Sequence, residues 1–334
     1  MRNTIKDIAK AAGVSVGTVS KVFNGYTTVG DETRERILQI ASELEYSPSH
    51  SARQLAGGFA DTIGVILNQF GEENSRDEYL IGILSGIYCE AEQRQLRIAM
   101  FTAKYIERLN LDYVRFCRSN RLIGLIAHGY DMSDEKLTHL AESEIPCVGI
   151  DMVLPGSNCV TITTDNITAT IETVETLIGF GHKKIVFVSG REKAWVTQQR
   201  LVGYNKCMKK HKMKPYVLQA DYNIETSFDC VTQFLSQNTD TDAFCCVSDG
   251  VACGALNACA KLNFKVPEEI SIVGFDNLTI SSVTSPPLST VGQGFYQMGS
   301  MSVKTLIKLS KEEKCEKTIF IPHHHIYRDS IIKR

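Results

Sequence analysis

The sequence predicts a small all-α unit followed by an α/β core of doubly wound parallel sheets. Three observations carry that reading. Between Thr4 and Asn24 the apolar residues recur at helical spacing. From Thr62 short apolar runs alternate with longer amphipathic stretches, the pattern of strand, helix, strand. After about residue 162 that alternation starts again, so the core holds two units of similar plan, repeated in architecture and not in sequence.

The bulk numbers bound the answer. A chain of 334 residues is too long for one small domain. Hydrophobic residues at 43% and charged residues at 22% are ordinary for a soluble globular protein. The net charge of −2 advertises no nucleic acid, and residues 1–58 hold seven Lys/Arg against six Asp/Glu. A DNA-binding role must therefore rest on where residues sit. Met1-Arg2-Asn3 runs straight into a stretch containing Lys6, Asp7 and Lys10, so no apolar export segment forms there. No run approaches transmembrane length, and a cytoplasmic protein with no membrane partner is expected. Eleven cysteines occur with no CxxC pair, many in apolar settings such as Cys147-Val148 and Cys245-Cys246-Val247, and are expected to be buried thiols.

The first element is carried by Ile5, Ile8, Ala9 and Ala12 at i, i+3, i+4 and i+7. Gly13 follows, where a sharp turn needs positive φ. Ser15 can cap a second helix that buries Val19, Val22 and Phe23. Two helices around a short Gly-containing turn form a helix-turn-helix, whose second helix enters the DNA major groove. Helical hairpins also occur purely as packing units. The polar set Thr4, Ser15, Thr18, Ser20, Lys21 and Asn24 favours DNA, because hydroxyls and amides suit phosphate oxygens and lysine suits guanine or phosphate. A third helix follows, with Asp31, Glu32 and Glu35 at its start and Ile37, Ile40, Ala41 and Leu44 on its apolar face. Tyr46 and Pro48 end it. By composition Ser49 to Gly58 reads as a flexible linker.

In the core, strands are predicted at 63–67, 97–101, 122–128 and 146–151, with helices near 79–96, 105–119 and 134–143 between them. Residues 158–162 are predicted to cross over. Helices near 166–178, 198–211, 226–236 and 250–261 then alternate with the strands in GHKKIVFVSG, YVLQAD, AFCCVSD and EISIVGFDN. One more helix and a late strand, KTIFIPHHHIYRDS, complete the chain.

The run TIKDIAKAAGVSVGTVSKVFNG resembles the DNA-binding head of the lac/gal repressor (LacI-type) family. VGDETRERILQIASELEYSPSHSARQLAGG resembles its third helix and hinge, and GFGHKKIVFVSG, QRLVGY, VPEEISIVGFDN and TSPPLSTV resemble its core blocks. Nearly the whole chain is covered. The resemblance implies a head at 1–48, a hinge helix at 49–60 and an effector-binding core at 61–334 of two periplasmic-binding-protein-like lobes. The N-lobe would take about 61–161 plus 290–320, the C-lobe about 162–289 plus 321–334, with three crossovers and a ligand between them. It further implies that Val16, Gly17 and Lys21 read bases, that Thr33 contacts DNA, and that Ala52 and Leu55 belong to a hinge whose leucine wedges into the minor groove. Gly30 stands where the family more often has Ser, which costs a cap and one phosphate contact.

The same resemblance suggests the ligand site. Arg200, in QQRLVGY, matches an arginine that grips effector hydroxyls or carboxylates, although its sequence context alone fits a surface arginine. Asp151 and Asp276 follow apolar strands in VGID and VGFD and should point into the cleft, because open α/β sheets bind ligands at strand carboxyl ends. Asn68 and His128 occupy comparable ends, and Tyr222 aligns with an aromatic that stacks on sugars. Ser248-Asp249 replaces the family's usual Asn-Asp, which puts one sugar contact in doubt, and neither His128 nor Trp195 identifies a sugar. Consecutive residues of a strand face opposite ways, so His323-His324-His325 cannot all ligate one ion, and no metal site is expected. No GxGxxG after the first strand and no P-loop occur, so no nucleotide cofactor is expected, and with no candidate catalytic constellation no catalysis is expected either.

The reading is a homodimeric repressor of a pseudo-palindromic double-stranded DNA operator, controlled by a small molecule such as a sugar, with both induced and co-repressed types known in the family. The alternatives are a solute-binding protein of a transport system, and a regulator whose degenerate cleft answers to a protein partner.

Overall fold

The structure, a computed structural model, describes residues 4–23, 28–44, 61–68, 77–130 and 135–334. It falls into two compact units, Met1–Ala60 and Asp61–Arg334. The first holds α1 (Ile5–Ala12), α2 (Val16–Phe23) and α3 (Asp31–Glu43). Ile8, Val19 and Ile37, one from each helix, are wholly buried against one another's helices, as the apolar spacing requires. Gly13 takes φ 66° and lets the Val14 amide close on Ala9 O at 3.0 Å, which ends α1 within one residue.

The second unit begins with β1 (Thr62–Leu67), α4 (Asp77–Gln93), β2 (Arg97–Thr102), α5 (Ala103–Arg108), α6 (Tyr113–Ser119), β3 (Leu122–His128), α7 (Glu135–Ala141), β4 (Cys147–Ile150) and β5 (Cys159–Thr164). It continues with α8 (Asn166–Gly179), β6 (Ile185–Ser189), α9 (Trp195–Lys210), β7 (Tyr216–Gln219), α10 (Ile224–Leu235), β8 (Ala243–Cys246), α11 (Asp249–Lys261), β9 (Ser271–Val273) and α12 (Thr279–Val283). Last come β10 (Thr290–Gly292), α13 (Phe295–Ser310), β11 (Thr318–Ile321) and β12 (His324–Ile326). One parallel sheet has the order β11-β5-β4-β3-β1-β2, the other β7-β6-β8-β9, and an antiparallel ribbon joins β10 to β12.

Three details depart from the expected pattern. The helix predicted over 105–119 is two helices, because Asn110 turns left-handed at φ 52° and Asp112 caps a new start through the Arg115 amide at 2.7 Å. Residues 158–162 are not merely a crossover, since they enter β5, a buried strand of the first sheet that runs to Thr164. The late strand divides at Pro322, which has no amide to give a ladder, so β11 stays with the first sheet and β12 pairs with β10.

The chain therefore passes between the lobes at Thr164–Asn166, Gly292–Phe295 and Ile321–His324. Helix α13 returns to the first lobe and lies against α4 at backbone contact: a Cβ on Gly86 would collide with the Tyr296 carbonyl, and one on Gly299 with that of Ile83. Eight of the eleven cysteines are buried and all are free. Burial pushes the Cys245 thiol up to about 12, so it behaves as a small apolar side chain.

Candidate DNA-reading helix and effector cleft

In the head, Ser15, Val16, Gly17 and Lys21 are exposed on one side of α2, opposite Val19 and Val22. Thr18 and Ser20 are half-buried at its edge, as is Thr33 in the first turn of α3. Ser15 has a structural duty too, because its Oγ accepts the Thr18 amide at 3.0 Å and caps α2. The letters Gly13-Val14-Ser15-Val16-Gly17 spell a nucleophile elbow, but here they join two helices with no strand before them. Thr4 donates its hydroxyl to Asp7 Oδ2 at 2.6 Å and its amide at 2.8 Å, and these bonds lower the Asp7 pKa. Around Gly17 a Cβ would meet only Ser15 Oγ, at 3.6 Å, so the side facing outward is open. Asn24, Ala52 and Leu55 lie outside the described residues.

In the core, a cleft of about 780 Å³, measured out to its mouth, opens between the lobes at the carboxyl ends of both sheets. His128, Asp151, Arg200, Tyr222, Ser248 and Asp276 all line it. They arrive from the ends of β3, β4, β7, β8 and β9 and from the second turn of α9. Its rim is bridged by Glu78, on the first lobe, which accepts the Thr279 amide and hydroxyl of the second, each at 2.8 Å.

Arg200 is 3% exposed. Its Nε donates to Asn166 Oδ1 at 2.7 Å, its Nη1 donates to Val247 O and lies 3.8 Å from Asp276 Oδ1, and its guanidinium sits 3.6 Å above the Phe275 ring. Among the described residues no side chain or carbonyl takes a hydrogen bond from Nη2. Asp276 accepts from Gln293 Nε2 at 2.6 Å, and Gln293 accepts from Thr164 Oγ1 at 2.7 Å. Asn166 donates to Thr163 Oγ1 at 3.1 Å, Thr163 to Asp151 Oδ1 at 2.6 Å, and Tyr79 to Asp151 Oδ2 at 2.5 Å. One polar network thus runs from Tyr79 to Asp276 through residues of the first two crossovers. Burial, then the Asp151 carboxylate, push the Tyr79 phenol well above its ordinary range, so Tyr79 stays a donor. Asp151, Tyr222 and Asp276 hold φ at 55°, 61° and 115°, which places backbone strain at three of the cleft's strand ends.

Two expected positions take other duties. Asn68 is absent from the lining; its amide donates to Gly129 O at 3.1 Å and shapes the turn behind His128. Ser248 lines the cleft, but its Oγ accepts the Val251 amide at 3.3 Å as the cap of α11. Its neighbour Asp249 is wholly buried and accepts from Thr290 Oγ1 at 2.6 Å and the Leu278 amide at 2.7 Å. Burial, then the nearby Asp276 charge, raise it to about 8. Tyr79, Arg191, Trp195 and Gln293 line the cleft without having been singled out as ligand residues. Arg191 follows VFVSG, and the strand-end rule that marks Asp151 would have marked it; Tyr79 and Gln293 carry no such local signal.

A two-lobed core with a polar cleft, preceded by a helix-turn-helix whose second helix presents an exposed polar face, defines a ligand-responsive DNA-binding regulator. Residues 4–49 match the bacterial regulatory proteins of the lacI family, and residues 174–331 match a periplasmic binding protein-like domain. The HTH-type transcriptional regulator RegA of Clostridium saccharobutylicum is 32% identical, across 99% of this chain and all of that one. The ribose operon repressor of Haemophilus influenzae is 30% identical across 98% of each. The crystal structure of the lac repressor dimer bound to operator and the anti-inducer ONPF superposes with a TM-score of 0.87 at 26% identity, over 99% of this chain and 100% of that one. The chain belongs to the lacI family of bacterial regulatory proteins. It is a DNA-binding transcriptional regulator. The relatives are transcription regulators and not enzymes, and no helix of the described residues is long and apolar enough to cross a membrane.

Proposed function

We propose that this regulator is a repressor that works in the cytoplasm as a homodimer on a pseudo-palindromic operator, and that a hydroxyl-rich small molecule, a sugar or close relative, sets its operator affinity by binding rather than by any catalysis. The head would be residues 1–48, the hinge 49–60 with Ala52 and Leu55, and the core 61–334. Val16, Gly17 and Lys21 read bases; Thr4, Ser15, Thr18, Ser20, Asn24 and Thr33 hold the backbone. Thr4 must exchange its bond to Asp7 for one to phosphate. Dimerisation is supported by α4 and the edge strand β2, where Ile81, Tyr88 and Met100 are 60%, 58% and 47% exposed around one broad apolar groove.

The observation that carries the effector reading is the meeting of Arg200 and Asp276 in one cleft from separate elements. The Arg200 Nη2 offers donors, while Asp276 and Asp151 accept from hydroxyls, and Trp195 and Tyr222 offer faces for the apolar side of a sugar ring. Arg200 rests on Asn166 and Asp276 on Gln293, both in crossover segments. A ligand that pulls on this pair therefore biases how the lobes sit, and operator affinity follows by linkage.

The test selects an operator from a random duplex pool with the full chain, then screens sugars, nucleosides and amino acids by thermal shift. A compound of this class should raise the melting temperature and change operator affinity, since a ligand stabilises the state that binds it. Selected sites without two-fold symmetry would remove the dimer reading, and a hit confined to compounds without hydroxyls would remove the sugar reading.

A further inference from the structure

The three histidines near the chain's end do not act as one run. His323 and His325, two apart in extended chain, face the same way. His324 faces oppositely and lies over Gly292, where a Cβ would stand 2.6 Å from its ring. Glu172, midway along α8, completes the other face: its Oε2 is 2.8 Å from His323 Nε2 and 3.0 Å from His325 Nε2. We propose that Glu172, His323 and His325 form a binding site for a divalent transition metal ion of the zinc type, which would fasten the third crossover to the first helix of the second lobe.

The chemistry of the donors fits. Two imidazole nitrogens and one carboxylate oxygen are a common set for zinc and its neighbours, and all three ligand atoms lie within 4.8 Å of one another. Bonds of ~2.0–2.1 Å in tetrahedral geometry place ligand atoms roughly 3.3 Å apart. The two glutamate–histidine sides of the triangle, now hydrogen bonds of 2.8 and 3.0 Å, need to open by only a few tenths of an ångström, with the ion replacing the shared Nε2 protons, while the histidine–histidine side, within 4.8 Å, draws in to the same spacing. The imidazole side chains are 15% and 17% exposed and the carboxylate 47%, so the rings are sheltered while the glutamate leaves a path for entry. The rings are also held in place. His325 stacks on Tyr327 at 6.1 Å and 11°, His323 stands nearly perpendicular to His325 at 5.7 Å, and the Tyr327 hydroxyl is 3.3 Å from Thr176 Oγ1 on α8. Such support limits the reorganisation an ion must cause. Three protein ligands leave the fourth position to water.

Position gives the site its consequence. His323 lies in the crossover between β11 and β12, and α8 starts where the first crossover ends. None of the three residues lines the effector cleft, so this inference does not depend on what the cleft binds.

The experiment titrates chelator-treated, reduced full chain with Co²⁺, then displaces it with Zn²⁺. The expected result is one Co²⁺ per chain, a four-coordinate spectrum without thiolate charge transfer, and release by Zn²⁺. His323→Gln with His325→Gln should abolish uptake, and Glu172→Gln, at an exposed position that tolerates change, should weaken it by more than the roughly 10–100-fold that loss of a supporting partner costs. His324→Gln should bind as the parent does. No uptake by the parent, a thiolate spectrum, or unchanged uptake in Glu172→Gln would overturn the proposal.

Discussion

The head and the cleft assemble their working surfaces in opposite ways. Every described residue offered to DNA lies between Thr4 and Thr33, on three short helices around one apolar cluster. The cleft joins Tyr79 and Arg200, from two helices, with Asp151 and Asp276, from two strand ends, and they meet only because the fold brings the two sheets' carboxyl ends together. A surface made of neighbours in sequence can be changed one contact at a time. A surface made by topology is a network, in which Arg200, Asn166, Asp276 and Gln293 share partners and do not act independently.

The largest expected effect separates the two outright. Removing residues 1–60 should abolish operator binding, measured by gel shift, while the remaining chain, which contains both sheets whole, should keep its folding transition and its ligand response. A truncated chain that still selects the same operator would break the division.

A smaller effect sharpens the head. Lys21→Ala should cost about 1–3 kcal/mol of operator affinity and relax choice at one base pair. An equal loss on every sequence tested would make Lys21 a phosphate contact.

A pH-dependent effect concerns the cleft's foundation. Asp249 is raised to about 8 in the folded chain, above its ordinary 3.8, by burial and then by Asp276. Its folded form holds the proton more tightly than its unfolded form, so its contribution to stability is full below pH 3.8 and is lost as pH rises through 8. One such group gives a slope of at most about 1.4 kcal/mol per pH unit. Asp249→Asn should therefore flatten the decline in denaturant stability across this window relative to the parent. Parallel declines in both chains would mean that Asp249 is ionised in the folded state at neutral pH.

The same contrast explains what the sequence disclosed. Helix stripes such as Ile5-Ile8-Ala9-Ala12 and strands such as 122–128 are local periodicities, and they appear where the residues predict. The split of 103–119, the entry of 159–164 into the first sheet and the division at Pro322 turn on single caps, left-handed residues and pairing partners, to which periodicity is blind. In the cleft, strand ends pointed to His128, Asp151 and Asp276 and the family resemblance to Tyr222 and Ser248, and all five line it. Neither could tell that Asn68 would spend its amide on Gly129 or Ser248 its hydroxyl on a helix cap. Glu172 gave no signal at all, because its nearness to His323 and His325 exists only once α8 and the last crossover are folded together.

The central claim is that Arg200 conveys the effector's presence to the head. An operator titration with and without the effector, for the parent, Arg200→Ala and Arg200→Lys, tests it most directly. Both variants should bind operator as the parent does and show no effector response, since a lysine point charge cannot reproduce the fork that reaches Asn166, Val247 and Asp276 together. A normal effector response in Arg200→Ala would contradict the account and place the ligand elsewhere.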